Sequence, residues 1–441
     1  MNGTQRFRKL AAGVAIATAL AGYAHAEVTV LGWPGGPEET ALRAAAQAYN
    51  ALPDTAADEQ VSLLFFNRDG FFDKLQADMA AGTDAFDANL LATYSIGRYA
   101  PFMEPIELDP GAADVFGDTV LETMQFEGEQ YGVPLDLSAH FMYYRTDLID
   151  ALLEDESAHA RYSAIAEEYL GQAMAPKHPD DWTWDDYVVT SLYFTQAVNR
   201  DSPVRYGTVL QMQNLLFNMM VFHSYPRAYG ADWMDADGTI TVDSDAYRLP
   251  LERYKMLLDA GATPRDSLSY EFPEANAAYN SGQVAVMLQW NGAAGELMDP
   301  DNAMHAENVA VVAPPAGPEG RFTHIHGLGL GLNENARNPE GARKFLEWLS
   351  TEDAAVIYAR NSGAPGLTGN ALARVADDRP DLVQLGEFAS SYGFVMNGGT
   401  SASALSVYEA QAQAFTGYWA GTQTLDEALR NVERAMADLL E

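Results

Sequence analysis

The chain has 441 residues, 48% of them apolar, with 26 basic and 62 acidic side chains, a formal net charge of −36 and no cysteine. So acidic a surface repels phosphate backbones and anionic lipids, which argues against nucleic-acid and membrane-surface roles; it favours solubility in salt, where charge is screened within ~10 Å at ~0.1 M. Without cysteine there is no disulfide, thiolate metal site, catalytic thiol or lipoprotein acylation site, and the length and apolar content suffice for two domains.

In chain order, residues 1–26 read as a cleavable signal peptide. Arg6, Arg8 and Lys9 precede an apolar run from Leu10 to Leu20, and Ala24-His25-Ala26 supplies a cleavage site. The run is too short to span a bilayer stably, so a secreted protein of the periplasm, not lipid-anchored, is expected. A strand over 28–31, a turn over 32–37 and a helix carrying Leu42, Ala45, Ala46 and Tyr49 follow. Strands over 61–66 and around 89–91, with a helix over 71–81, continue an alternation that predicts a mainly parallel sheet covered on both faces.

Farther along, Gly132-Val133-Pro134-Leu135-Asp136 runs into an aromatic strand over 141–144, and Thr183 with Asp186 forms a helix-opening pair. The stretch 235–242 reads as a tight turn and a short strand; it lacks the later ligands and closing glutamate of a calcium loop. Strands over 284–288, 309–313 and 327–332 come next. Helices open near Pro339 and at Ser350 with Asp353. A capping box from Thr424 to Glu427 opens a final amphipathic helix carrying Leu429, Val432, Met436 and Leu439.

Five segments in this order carry a resemblance. They are Gly132-Val133-Pro134 before the aromatic strand ending Tyr144-Arg145-Thr146-Asp147-Leu148, the stretch from Trp182 to Tyr187, Tyr279-Asn280-Ser281-Gly282-Gln283-Val284-Ala285-Val286-Met287, Ala313-Pro314-Pro315-Ala316-Gly317-Pro318, and Asn361-Ser362-Gly363-Ala364-Pro365. With them the chain resembles, over essentially its whole mature length, the extracellular sugar-binding proteins of bacterial ABC importers. The resemblance implies an α/β fold of the periplasmic-binding-protein type, two α/β lobes joined by a multi-crossing hinge with a ligand cleft between them. It assigns residues 27–140 with 313–366 to the first lobe and 141–312 with 367–441 to the second, with hinge closure as the expected motion. It also implies the importer's membrane permease subunits as partners, a monomer and no cofactor. Many relatives carry an arginine just after the proline of the Gly-x-Pro element. Here Gly366-Leu367-Thr368 follows Pro365, and Arg360 is the nearest upstream candidate to replace it.

A sugar presents C–H patches on its faces and hydroxyls at its rim, so its site needs aromatic planes with amides or acids beside them. Residues where strands end toward the cleft are the candidates. Trp33 and Tyr94 follow the first and third strands, Asp136 approaches the first crossing, and Trp290 ends an apolar strand between the amides of Gln289 and Asn291. Tyr408 falls where the resemblance places a stacking aromatic. His324 and His326, two apart, share one side of a strand; no third metal ligand is near, so His326 is assigned to a hydrogen bond with ligand or strand. Trp182, Trp184 and Trp348 read as packing.

No Gly-x-Ser-x-Gly, phosphate loop or other catalytic motif occurs, and no catalytic or metal-binding residue is assigned. The competing readings are the same fold holding a polyol or another non-sugar solute and, less well supported, a secreted glycoside-acting enzyme with a carboxylate pair. Paired aromatic planes would favour sugar rings, and amides without facing planes would favour linear polyols.

Overall fold

A computed structural model describes residues 27–34, 36–67, 70–235 and 237–440; the signal-peptide reading of 1–26 lies outside them. The apolar runs Val28–Gly32 and Ala88–Ala92 form parallel strands buried on nearly every residue, as expected where helices cover both faces. The sheet they belong to runs Val61–Phe65, Val28–Gly32, Ala88–Ala92, His326–Asn333, Met103–Glu104, and Gly132–Ser138 also pairs with His326–Asn333. His326–Asn333 enters antiparallel to its neighbours.

The glycine–leucine alternation of that strand has a steric cause. A Cβ at Gly329 would lie 2.3 Å from the Val133 carbonyl, and one at Gly331 2.0 Å from Met103 Cε. Leu328, Leu330 and Leu332 fill the other face. The second sheet runs Val309–Val312, His140–Arg145, Val284–Trp290, Tyr206–Thr208. His140–Arg145 lies antiparallel to both neighbours and aligns His140 with Trp290.

The chain therefore passes from the first sheet to the second at Ala139 and returns between Val312 and His326. Within the return, Thr323–His324 pairs with Gly393–Phe394, and Ala316 and Glu319 donate their N–H groups to the Trp182 and Ala228 carbonyls. Helices Pro339–Leu349 and Glu352–Arg360 pack on Gly36–Asn50 beside the first sheet, and Ala404–Trp419 packs on Leu216–Ala228 beside the second. Among the described residues no helix is long and apolar enough to cross a membrane.

Two local expectations change. Glu352–Arg360 is capped by Thr351, whose Oγ1 accepts the Ala354 N–H, while Ser350 closes the preceding helix and accepts the Asp109 N–H at 2.7 Å. The strand expected before Val242 is a single bridge between Met234 and Ile240, because Asp235 folds the turn by accepting the N–H groups of Asp237 and Thr239. Trp182 and Trp184 are buried, and Trp348 packs on Tyr49 and Phe345.

Both capping boxes form. Asp186 Oδ2 accepts the Thr183 N–H at 2.9 Å, the Thr183 hydroxyl at 2.7 Å and the Lys177 ammonium at 2.9 Å, with its side chain wholly buried. Thr183→Ala is expected to cost about 1 kcal/mol in denaturant unfolding, and Asp186→Ala more, because it strips Lys177 and Thr183 of a shared partner. Equal losses for the two variants would show that the box contributes nothing beyond the cap.

Candidate ligand-binding site

The strand ends of both sheets converge where the chain crosses. The turn Thr93–Ser95 follows Ala88–Ala92, and Thr93 Oγ1 accepts the Gly327 N–H at 2.8 Å and donates to the Thr123 carbonyl at 3.0 Å. That anchor sets the Tyr94 ring 5.1 Å from His326, 5.7 Å from Phe72 and 6.2 Å from Phe217, the last carried by Leu216–Ala228 beside the second sheet. Trp33 stands behind Phe72, edge-on to it at 5.9 Å and to Phe71 at 5.4 Å.

From the second sheet, half-buried Trp290 lies 4.2 Å from the His140 ring and 5.0 Å from His326. His324 accepts from or donates to the Tyr408 hydroxyl through Nε2 at 2.7 Å, and Trp233 and His223 sit 4.6 and 5.7 Å from the Tyr408 ring. The structure thus brings Tyr94, Trp290, His326 and Tyr408 into one aromatic cluster, with Trp33 one ring removed. It adds His140, His223, His324, Trp233 and Phe217, which sequence reasoning left outside the candidate site.

The cluster is uncharged. Burial pushes the imidazoles of His223 and His326 down to about 3 and those of His140 and His324 well below their ordinary range, so all four are neutral at pH 7.

The remaining candidates face elsewhere. Gln289 is fully buried, accepting from Gln211 Nε2 and the Trp290 N–H, each at 2.9 Å, and donating to Asn276 Oδ1 at 2.8 Å. Its amide is committed to the second sheet's core. Asn291 accepts the Ala139 N–H at 2.9 Å and donates to the Leu137 carbonyl at 3.2 Å, pinning the strand end to the crossing. Asp136 accepts the Tyr358 hydroxyl at 2.5 Å and the Ala364 N–H at 2.6 Å, so it ties the Asn361-to-Pro365 element to the crossing strand. Arg360 turns to Asp378 and the Arg374 carbonyl. Arg379, unmarked in the sequence, donates to the Gly363 carbonyl at 2.8 Å.

Residues 34–356 match the family described as bacterial extracellular solute-binding protein. The chain belongs to this family. A binding protein of Brucella abortus is 24% identical over 302 residues, 67% of this chain, and the chain spans 65% of that relative's length. Maltose-bound MalE3 of T. maritima superposes with a TM-score of 0.73 at 20% identity, covering 94% of this chain and 100% of that one. A solute-binding protein of Agrobacterium radiobacter in complex with ribitol gives 0.71 at 16% identity, over 94% and 98%. These likenesses establish the two-lobed binding-protein fold.

Within that fold, Gly97 lies against the loop that precedes Ala404–Trp419. A Cβ there would lie 2.5 Å from the Thr400 carbonyl and 2.8 Å from Ala402 N, so only glycine lets the loop before Ala404–Trp419 seat on Ile96–Tyr99. Gly97→Val is expected to cost about 1–3 kcal/mol in denaturant unfolding by forcing that loop off Ile96–Tyr99. An unchanged unfolding midpoint would show that the close approach contributes nothing to stability.

Asp136 yields a second expectation. Burial pushes its carboxyl up to about 7, Glu38 adds in the same direction, and the Tyr358 and Ala364 hydrogen bonds oppose both. A folded-state value above the unfolded one means that ionisation opposes folding as pH rises from about 4 to about 7. Asp136→Asn removes that penalty, so wild type should lose stability relative to the variant by up to about 1 kcal/mol per pH unit across this window. Parallel unfolding curves at pH 5 and pH 7 would contradict it.

Proposed function

We propose that this chain is the exported, substrate-capturing component of an ABC importer, closing its lobes around a carbohydrate or polyol and delivering it to membrane permease subunits. The observation that supports the reading is the uncharged, buried aromatic cluster where the two sheets' strand ends converge; in this reading opening of the lobes presents the Trp290, Tyr94 and Tyr408 planes and the neutral His140, His324 and His326 groups to the ligand. Relatives of the same fold hold maltose and ribitol, which spans the sugar and polyol readings. Trp33 extends the surface behind Phe72. Asp136 and Asn291 act by holding the crossing, and Gln289 by holding the second sheet.

The reading includes the lobe division 27–140 with 313–366 and 141–312 with 367–441, with the 316–321 hairpin resting on Trp182 and Ala228. It also includes a cleaved leader over 1–26, a periplasmic location without lipid anchor and a monomer. Glycoside cleavage needs two carboxyl groups about the scissile bond. Of the nearby acids, Asp136 is occupied by Tyr358 and Ala364, and Asp232 by Arg227 at 2.6 Å, and the reading is capture without turnover.

Thermal unfolding against mono- and oligosaccharides, polyols, amino acids and polyamines tests it. A ligand at ~100 times its Kd adds about 2.7 kcal/mol and raises the midpoint. Trp290→Ala should fold normally and bind at least about tenfold more weakly, roughly 1.4 kcal/mol. A midpoint raised by amino acids or polyamines alone would overturn the carbohydrate reading, and consumption of a bound glycoside over time would make the chain an enzyme.

A further inference from the structure

Four of the chain's eight histidines meet at the lobe junction. The His324 ring is 6.2 Å from those of His140 and His326 and 6.3 Å from that of His223. His140 Nε2, His324 Nδ1 and His326 Nδ1 are buried without a protein partner, although each ring is at least nine-tenths buried. Among the described residues no group of three acids or imidazoles is placed to hold a metal ion.

We propose that this cluster makes the cleft a proton-competed site for an uncharged, hydroxyl-bearing ligand, so that ligand and protons exclude one another. The inference rests on the carbohydrate or polyol reading above. A hydroxyl both donates and accepts, so it satisfies a neutral imidazole nitrogen in either tautomer. An anion would need imidazolium donors, and an ammonium would need acceptors only.

Among the described residues no counter-ion stands ready for an imidazolium here. On the elements packed around the cluster, Arg227 and Asp232 pair with each other, and Asp232 also accepts the Trp233 and Asn397 N–H groups. Asp136 is held by Tyr358 and Ala364. Arg145 turns to Asp147 at the far end of its strand, and Glu409 is influenced by Asp73 and Arg98 rather than by any histidine. Behind His223, on the Tyr247 helix, Arg248 pairs with Asp243 and Asp426, Arg253 with Asp185 and Lys255 with Asp259, Glu252 borders Tyr418, and Asp245 is exposed.

The sign follows from the imidazoles being held neutral. In this proposal the enclosed arrangement, in which burial holds the imidazoles neutral, is the ligand-bound one, and in the ligand-free arrangement opening lets them meet water and take up a proton below about pH 6.5. The closed complex is therefore favoured above pH 6.5 and loses ground as pH falls from 6.5 toward 3, the window set by His223 and His326.

The test is calorimetric titration of the full exported chain with maltose, ribitol and D-mannitol at pH 7.5, 6.5 and 5.5. A ligand-free unfolding series over the same range compares wild type with His140→Asn/His326→Gln. The expected result is a Kd that rises between pH 6.5 and 5.5 by up to about tenfold for each proton excluded, with a weaker rise in the double variant. A Kd that stays constant or falls on acidification overturns the proposal, a fall being the mark of an anionic ligand. Loss of binding on chelation at pH 7.5 overturns it in favour of a metal site. If none of the three probes binds at pH 7.5, the carbohydrate reading has failed for them, and the unfolding series decides the histidine part alone. An acid loss of stability shared equally by wild type and variant then overturns it, and a smaller loss in the variant supports it. His326→Gln alone serves if the double variant does not fold.

Discussion

The tie between Asn291 and the crossing is the constraint on which the rest of the site depends. The end of Val284–Trp290 is locked against Leu137 and Ala139 through one side-chain amide and one backbone N–H, which Asn291 donates to the Ala139 carbonyl at 2.9 Å. That fixes Trp290 opposite His140 in the second sheet and beside His326 at the start of the returning strand. A shift of one residue would turn Trp290 to the opposite face of its sheet. The aromatic plane is thus placed by the connection between the two sheets.

The chemistry of the junction is set by what is missing. Among the described residues no free carboxylate lies among the four imidazoles, and Asp136 and Asp232 are spent on Tyr358, Ala364 and Arg227. Burying an unpaired ion costs several kcal/mol. Keeping the region neutral is therefore compatible with close packing of the two sheets' ends, and it leaves hydrogen bonding and ring contact as the interactions available there.

Much of the fold was legible in the sequence because it rests on local signals. Unbroken apolar runs marked the buried parallel strands, and Thr-x-x-acid pairs marked two helix starts that form as read. Ser350 and Thr351 are equally good caps by type, and only the hydrogen-bond geometry selects Thr351. Of the site, residues ending strands were readable. Gln289 neighbours Trp290 in sequence, yet adjacent residues in a strand face opposite sides, which sends its amide into the core. His140 and His223 gave no signal, one opening an aromatic strand and the other lying mid-helix; they meet only through sheet register and helix packing. Arg379 was hidden for the same reason, since its contact with Gly363 depends on how two distant segments dock.

The sheet order of the first lobe has a consequence for how the molecule is made. Met103–Glu104 and Gly132–Ser138 both find their ladder partner in His326–Asn333. A chain emerging amino-end first completes the second sheet, through Val309–Val312, before the first has its closing strand. Pairing across such a separation is slow and leaves strand edges open meanwhile. The lobe that begins the polypeptide is thus the later of the two to be sealed. In the interval those open edges must be kept from one another, a service that a strongly acidic, self-repelling polypeptide provides for itself.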